Sequence, residues 1–330
     1  MNILVTGGAG YIGSHTVRAL SHTKDFKPVI FDNLSTGHRE SIPKDIDFVE
    51  GDIHDVDCVA DVLARFKIDG VIHFAASSLV GESMVEPAKY YSNNVEGTLH
   101  LLLGMRKAHV NKIVFSSTAA VYGEPEKTPI KEDFPHCPTN VYGRTKLVIE
   151  DMMRDFTNAY GLNYVALRYF NAAGAAADGS IGEDHDPESH LIPLILKTAQ
   201  GVREHISIYG TDYPTPDGTC LRDYIHVIDL AEAHILAMKY LLNGGKSDVF
   251  NLGSENGFSV REIIDVAKRV TGREFRVVEE GRRAGDPAVL IASSAKCKEI
   301  LGWNPFHSST AEIIETAWKW HFAHPHGYSD

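Results

Sequence analysis

Short apolar runs alternate with stretches of helical spacing along the first half of the chain. The apolar runs show no polar alternation, which is typical of strands buried on both faces of a sheet. They lie at 2–6, 28–32, 47–51, 71–75, 112–117 and 163–170. Helical spacing occurs between them, for example at 57–66 and 95–108. Because strands and helices alternate, the pattern predicts right-handed βαβ units and a doubly wound parallel sheet of the α/β class.

The rhythm changes after about residue 172. Residues 172–190 are rich in Gly, Ala and acidic residues and are predicted to form a loop. Later helices are expected at 191–200, 228–242, 259–271 and 308–322, with strands at 206–210, 248–253 and 274–279. This predicts a smaller C-terminal α/β substrate lobe beside the sheet's carboxyl edge. The sheet domain is expected to comprise 1–172 plus about 223–257, and the substrate lobe about 173–222 plus 258–330.

Composition and charge exclude several classes of function. The chain has a net charge of −12 and contains no long basic run, which argues against nucleic acid and anionic membranes as partners. No stretch approaches the ~20 apolar residues of a membrane span, and no basic leader precedes the first strand. The four cysteines form no CxxC pair, which favours a reducing, cytoplasmic location. No H-x-x-x-H pair with a carboxylate occurs, so no metal site is predicted.

A glycine-rich turn follows the first predicted strand and opens the first predicted helix. Gly7, Gly10 and Gly13 lie in "VTGGAGYIGSH", at the spacing that lets backbone amides approach a pyrophosphate. Asp32 ends the second strand, where an acidic residue binds an adenosine ribose. No Arg follows Asp32 closely, which favours NAD over NADP. Together these features predict a Rossmann-type dinucleotide site.

Tyr142 and Lys146 stand four residues apart at the start of a predicted helix, so they share one face. With 13 tyrosines in 330 residues, such a pair alone is expected by chance. Hydroxyl groups at Ser116, Ser117 and Thr118 end the preceding strand, at the sheet edge where ligands bind. A lysine ammonium and a positive nicotinamide ring would favour the phenolate, which predicts Tyr142 as a general base and acid.

These motifs resemble the extended short-chain dehydrogenase/reductases and, among them, the UDP-glucose 4-epimerases. The resemblance covers essentially the whole chain, through "GGAGYIGSH", "SSTAAVYG", "VYGRTK", "LRYFNAAGA", "YGTDYPTPDGTCLRDYIHVIDLA" and "RRAGDP". It implies catalytic roles for Tyr142, Lys146 and Thr118, where Thr118 stands at a position that is usually serine. It also implies a homodimer.

The resemblance implies contacts with NAD and with the UDP-hexose substrate. The implied NAD set is Gly7, Gly10, Tyr11, Ile12, Gly13, Asp32, Asn33, Asp52, Ile53, Phe74, Ala75, Ala76, Asn93, Ser116, Tyr142, Lys146 and Tyr169. The implied substrate set is Thr118, Tyr142, Asn171, His190, Leu191, Tyr209, Arg222, Tyr224, Arg283, Asp286 and Leu290. Two positions depart from some relatives: His190 replaces an asparagine, and Ser78 replaces a lysine.

The implied reaction is oxidation of the sugar at C4, rotation of the 4-keto sugar, and return of the hydride to its other face. Leu290 aligns with a position that gates N-acetylated sugars, and core packing explains it equally well, so UDP-GlcNAc stays open as a substrate. Nucleotide-sugar 4,6-dehydratases and decarboxylases share the cradle but need acidic groups where this chain has Ala119 and Ala120. A non-catalytic nucleotide-sensing regulator is the remaining alternative, although such proteins often lose the tyrosine or the lysine.

Overall fold

The central feature of the computed structural model, which describes residues 1–283 and 286–328, is a parallel sheet. The strands, in chain order, are β1 (Asn2–Thr6), β2 (Lys27–Asp32), β3 (Asp47–Glu50), β4 (Gly70–His73), β5 (Lys112–Ser116), β6 (Asn163–Arg168), β7 (Asn171–Ala173), β8 (His205–Tyr209), β9 (Leu221–Arg222), β10 (Tyr224–His226), β11 (Asp248–Asn251), β12 (Phe258–Ser259), β13 (Arg276–Glu280) and β14 (Val289–Leu290).

Seven of these strands form the sheet in the order β11-β6-β5-β4-β1-β2-β3, and every pair is parallel. Successive strands run outward from β1 in one direction through β3 and from β4 in the other direction through β11. The prediction of a Rossmann-type doubly wound sheet is therefore confirmed. The order reverses between β1 and β4, and ligands of such sheets bind at this switch point, outside the carboxyl ends of the strands.

The described residues form eleven α-helices. Some cover the central sheet, and the others belong to the smaller second lobe, which contains α7, α9, α11 and β8. They are α1 (Tyr11–Ser21), α2 (Val56–Arg65), α3 (Val80–Val85), α4 (Pro87–Tyr90), α5 (Gly97–Lys107), α6 (Val141–Tyr160), α7 (Leu191–Ala199), α8 (Val227–Leu242), α9 (Val260–Thr271), α10 (Ala295–Leu301) and α11 (Thr310–Ala323). Short 3-10 turns occur at Arg39–Ser41 and Ala119–Tyr122, and a π-helical turn, Tyr91–Glu96, joins α4 to α5.

Helices cover both faces of the sheet, which explains why its strands lack polar alternation. One face packs against α1 and α8, with Val17, Leu20, Leu230 and Met238 fully buried. The other face packs against α2, α5 and α6, where Val59, Leu101 and Ile149 are fully buried. A third cluster joins α7, α9 and α11 with β8, and it forms the core of the second lobe.

Several short strands depart from the sequence-based expectation. Residues 172–190 were expected to be loop, but 171–173 form β7, which pairs in parallel with β10. The predicted strand 163–170 ends at Arg168. Strand β9 pairs with both β12 and β14. Only two or three residues form each of β7, β9, β10, β12 and β14. Such strands are too short to show a period of two, so long-range pairing alone defines them.

Among residues 1–283 and 286–328, no helix combines the length and the apolar character needed to cross a bilayer.

Candidate active site

The glycine-rich turn between β1 and α1 lies at the switch point of the sheet. Gly7 has a φ of +73°, and a Cβ there would come 2.5 Å from the Ala75 backbone nitrogen. A Cβ on Gly13 would come 2.1 Å from the Gly7 carbonyl oxygen. The helix α1 can therefore pack this closely against the turn only because residue 13 is glycine. Gly10 has only the Gly7 carbonyl nearby, at 3.4 Å, and it begins α1 without a side-chain cap. The first amides of α1 therefore remain available to an anion.

Asp32 closes β2 beside this turn. Its carboxylate accepts hydrogen bonds from the amides of Ala9 at 2.9 Å and Leu34 at 2.8 Å. Each carboxylate oxygen keeps another lone pair, which can accept a ribose hydroxyl. Asn33 follows Asp32, and its side-chain amide donates a hydrogen bond to the Asp52 carboxylate at 3.1 Å. Ile53, next to Asp52, is buried against the sheet.

Residues at the carboxyl end of β4 form the next part of the crevice. The amides of Phe74 and Ala75 both donate to the Thr6 carbonyl, at 2.9 and 3.2 Å, and Ala76 follows them. Asn93 lies in the π-helical turn and donates to the Ser77 hydroxyl at 3.1 Å. Such turns are frequent at functional sites because they redirect side chains out of the helical repeat.

Tyr142, Lys146 and Thr118 come together where β5 meets α6. Asn140 caps α6 by accepting the Gly143 amide at 2.7 Å, which fixes the start of the helix one residue before Tyr142. Lys146 Nζ donates to the Ser116 carbonyl at 2.9 Å and lies 5.8 Å from the centre of the Tyr142 ring. The Ser116 hydroxyl in turn bonds the hydroxyl of Tyr169.

The protein groups around Tyr142 keep its phenol neutral at pH 7. Burial raises the pKa of Tyr142 to about 12, although the Thr118 hydroxyl acts in the opposite direction. Burial lowers the pKa of Lys146 to about 7, although the negative charge of Glu150 acts to raise it. The prediction that Lys146 and the positive nicotinamide ring together favour the Tyr142 phenolate concerns the NAD-bound protein, and it stays a prediction.

Sequence reasoning missed the buried charged network behind this group. Glu150 follows Lys146 by one helical turn, and its carboxylate accepts from the Ser117 hydroxyl at 2.5 Å and from Arg168 Nε at 3.0 Å. Arg168 Nη1 also donates to the Tyr122 hydroxyl at 2.7 Å. The sequence contains one signal of this network: Tyr142, Lys146 and Glu150 are spaced four residues apart, so they share one face of the helix.

Arg222, Asp286 and Leu290 meet around β9 in the second lobe. Arg222 forms an ion pair with Asp286 and donates from Nη1 to the Leu221 carbonyl at 2.9 Å. Leu290 lies opposite Arg222 in the parallel pair of β14 with β9. It also packs against a buried cluster that contains Ala119 and Tyr122, next to Thr118 in the chain.

The remaining predicted substrate residues lie on neighbouring elements. The Arg283 guanidinium lies over the Tyr209 ring, 3.7 Å from its centre. The Asn171 side chain donates to the Asp223 carbonyl at 2.8 Å. Asn171 is also the residue of β7 that pairs with Tyr224 of β10.

His190 precedes α7, which begins at Leu191, and it lies close to Glu183 and Glu188. Burial lowers the pKa of His190, but the Glu183 and Glu188 carboxylates outweigh it and raise the pKa to about 10. The same two carboxylates raise the pKa of His185 to about 9, also against the lowering effect of burial. Tyr11 connects this loop with the glycine turn: its hydroxyl donates to the Gly174 carbonyl at 2.6 Å.

Comparison with known proteins identifies the family. Residues 3–253 match the model of the NAD dependent epimerase/dehydratase family. The chain belongs to that family. A UDP-glucose 4-epimerase of Lacticaseibacillus casei is 55% identical over 330 residues, covering 100% of this chain and 99% of the relative.

Solved structures give the same result for this member of the epimerase/dehydratase family. A crystal structure of a UDP-glucose 4-epimerase superposes with a TM-score of 0.97 at 52% identity, covering 100% of both chains. A UDP-glucose 4-epimerase from Brucella ovis in complex with NAD has a TM-score of 0.94 at 50% identity, covering 96% of this chain and 97% of the other. The family's cofactor fits the residues present, because the glycine turn leaves the first amides of α1 free and Asp32 keeps lone pairs for a ribose.

Proposed function

We propose that this protein is an NAD-dependent UDP-glucose 4-epimerase, an isomerase that interconverts UDP-glucose and UDP-galactose. The observation that carries the proposal is the whole-chain similarity, at 55% identity, to UDP-glucose 4-epimerases. The convergence of Tyr142, Thr118 and Lys146 at the carboxyl edge of the sheet supports it, because this edge is where a parallel sheet binds its ligands.

In this proposal Tyr142 exchanges a proton with the sugar's 4-hydroxyl. The neutral phenol suits the step in which a 4-keto sugar is reduced, since it can donate the proton that the new alcohol needs. The opposite step needs the phenolate, which a positive charge nearby stabilises. Lys146 supplies part of that charge, and Thr118 stabilises the phenolate through its hydroxyl.

NAD, when bound, supplies the reversible acceptance of a hydride from C4, so the overall reaction needs no net oxidant. Gly7, Gly10 and Gly13 are proposed to admit its pyrophosphate to the start of α1, and Asp32 to hold its adenosine ribose. Phe74 and Asn93 are proposed to flank its nicotinamide half. Keeping this cofactor bound through both half-reactions is required, because the hydride must return to the same substrate molecule.

Arg222 and Arg283 are proposed to anchor the uridine diphosphate while the hexose turns. A guanidinium presents paired N–H donors to phosphate oxygens. Asp286 and Tyr209 support this role, because they hold the two guanidinium groups in place. Asn171, His190, Leu191 and Tyr224 are proposed as further substrate contacts. Binding energy from the diphosphate then positions C4 without tight contacts to the sugar ring.

The test is incubation of the purified protein with UDP-galactose and no added NAD, followed by separation of the products. UDP-glucose is the expected product. A 4-keto-6-deoxy sugar would instead identify a dehydratase, and bound NAD without any conversion would identify a regulator. Parallel incubation with UDP-GlcNAc decides whether the pocket beside Leu290 accepts N-acetylated sugars.

We also infer a homodimer in the cytoplasm. Exposed apolar side chains on α3, the π-helical turn and α6 support self-association: Met84, Val85, Tyr91 and Val148. The four unpaired cysteines fit a reducing compartment. Sedimentation equilibrium would check the dimer, and cell fractionation would check the compartment.

A further inference from the structure

Four side chains between β7 and α7 converge on one point, although the proposed reaction gives them no joint role. They are Glu183, His185, Glu188 and His190, called here the Glu–His cluster. One ligand atom of each lies within 4.8 Å of all the others. Both histidines direct Nδ1 inward: His185 Nδ1 lies 3.2 Å from Glu183 Oε1, and His190 Nδ1 lies 2.9 Å from the same oxygen.

The spacing of these atoms matches the corners of a metal coordination tetrahedron. Zinc binds imidazole nitrogen and carboxylate oxygen at about 2.0–2.1 Å, which puts tetrahedral ligand atoms about 3.3 Å apart. With Glu183 Oε1 and Glu188 Oε2 as the carboxylate ligand atoms, His185 Nδ1 lies 3.2 and 3.7 Å from them, and His190 Nδ1 lies 2.9 Å from Glu183 Oε1. These three distances lie within about 0.4 Å of that edge length, and all four ligand atoms lie within 4.8 Å of one another, so side-chain movements would bring them onto one ion.

The bonding of Glu188 gives an independent reason to expect a ligand. Its side chain is 3% exposed. Oε1 accepts the amides of Ser189 and His190, both at 2.7 Å, which fixes the carboxylate. Oε2 is buried and has no hydrogen-bond partner within residues 1–283 and 286–328, and the same holds for His185 Nδ1. A buried carboxylate oxygen that faces a histidine at 3.7 Å without a hydrogen bond is incompletely satisfied, and a cation between Oε2 and Nδ1 would satisfy both atoms.

The donor set indicates which ion fits. Binding of a metal ion would displace the protons that the two carboxylates hold on His185 and His190, and the remaining two carboxylates and two neutral imidazoles carry a charge of about −2, which balances a divalent cation. Imidazole ligands favour zinc and its transition-metal neighbours over magnesium and calcium, which prefer oxygen alone. Two neighbours hold the cluster in place: Trp320 Nε1 donates to the backbone carbonyl of Glu183 at 3.2 Å, and the Tyr11 ring lies edge-on to His185 with 6.3 Å between the ring centres.

We propose that the Glu–His cluster is a structural site for a divalent transition metal of the zinc class. Its ligands follow the spacing E-x-H-x-x-E-x-H in a loop, so a search for histidines four apart on a helix does not find it. The ion would link the loop to the first turn of α7 and would take no part in hydride transfer.

The test uses untagged full-length protein, treated with a chelator and then dialysed against Zn²⁺ or Co²⁺. We expect about one metal ion per chain by elemental analysis. Co²⁺ should give the intense visible absorption of a tetrahedral site, and Zn²⁺ should raise the melting temperature. Protein that retains neither ion, with an unchanged melting temperature, would overturn the proposal and leave the cluster as an ion-paired network. None of these readouts depends on epimerase activity, so failure here is distinguishable from failure of the proposed function.

Matched variants locate the site. His185→Gln and Glu188→Gln should each weaken Co²⁺ binding by at least about tenfold. Asp186→Asn changes an exposed acid in the same loop and should bind Co²⁺ like the parent protein. Circular dichroism confirms that each variant is folded before it is titrated. Equal Co²⁺ binding by the three variants would contradict the assignment of these ligands.

Discussion

Lys146 Nζ lies 2.9 Å from the carbonyl oxygen of Ser116, at the point where β5 ends. This contact ties the first turns of α6 to the central sheet. It also fixes Tyr142, one helical turn earlier, against Thr118 at the mouth of the crevice. The geometry of the proposed proton transfer therefore depends on a bond between a side chain and the backbone.

Replacing Tyr142 with Phe tests that geometry. The change removes one hydroxyl and keeps the ring, so NAD and UDP-sugar binding should persist while turnover falls by about 10²–10⁴-fold. Steady-state rates with UDP-galactose and binding of both ligands by calorimetry are the measurements. Tyr160→Phe, on the exposed end of the same helix, should leave turnover unchanged. A Tyr142→Phe rate near that of the parent would remove Tyr142 as the acid and base.

Gly13→Ala tests the proposed phosphate cradle. A Cβ at this position would come 2.1 Å from the Gly7 carbonyl oxygen, so the turn must open and the amides of α1 must shift. We expect purified protein to carry much less NAD, as measured by absorbance after acid release. Gly81→Ala is the control, because a Cβ there has no heavy atom within 4 Å. Equal NAD content in the two variants would contradict the cradle.

Arg283→Ala tests the proposed diphosphate anchor. Loss of a charge-assisted contact worth about 1.5–3 kcal/mol should weaken UDP binding by roughly tenfold or more. Arg283→Lys keeps the charge but loses the planar fork, so an intermediate affinity is expected. Arg273→Ala removes an exposed arginine elsewhere in the second lobe and should bind UDP normally. Calorimetric titration with UDP measures all three, and unchanged affinity in Arg283→Ala would exclude the contact.

Arg168→Met tests the buried ion pair behind the site. Arg168 and Glu150 have side chains only 3% and 5% exposed, and the substitution leaves the Glu150 charge without its partner. The free energy of unfolding should fall by about 3–5 kcal/mol. Arg154→Met breaks the exposed pair with Asp151 and should change it by less than about 1 kcal/mol. Urea denaturation compares the two, and similar losses would show that burial does not strengthen the pair.

The sequence predicted the features that depend on local pattern. Continuous apolar runs fixed six strands of the parallel sheet, and glycine spacing located the turn at 7–13. The short strands β9 and β14 were missed because two residues carry no periodicity. Their pairing is nevertheless what places Leu290 opposite Arg222. The pairing of Glu150 with Arg168 likewise joins a helix to a strand, and no local spacing indicates which strand residue it meets.

Four buried histidines predict loss of stability in acid. Burial lowers the pKa of His73 and His226 to about 3, and of His15 and His234 to about 4. The unfolded chain takes up protons near its ordinary pKa of about 6.5, whereas the folded chain does so only at lower pH. The free energy of unfolding should therefore fall as pH drops below about 6.5, by up to about 1.4 kcal/mol per pH unit for each histidine.

His73→Gln tests this assignment. The amide can replace the ring in its hydrogen bonds to Thr6 and Thr98, at 2.7 and 3.0 Å, and it does not titrate. Urea denaturation between about pH 7 and pH 5 should show a shallower slope for the variant. His22→Gln, at an exposed position, is the matched control. Parallel slopes for His73→Gln and the parent would exclude His73 as a contributor.

Strand β11 is contributed by Asp248–Asn251, long after β6, the strand that it pairs with. During synthesis on the ribosome, residues 163–168 are thus made about 80 residues before their outer neighbour exists. Until then the nascent protein presents an unpaired, apolar strand edge, which is a template for wrong pairing. Chaperone dependence and aggregation of truncated products should therefore be concentrated in chains that stop between these two strands.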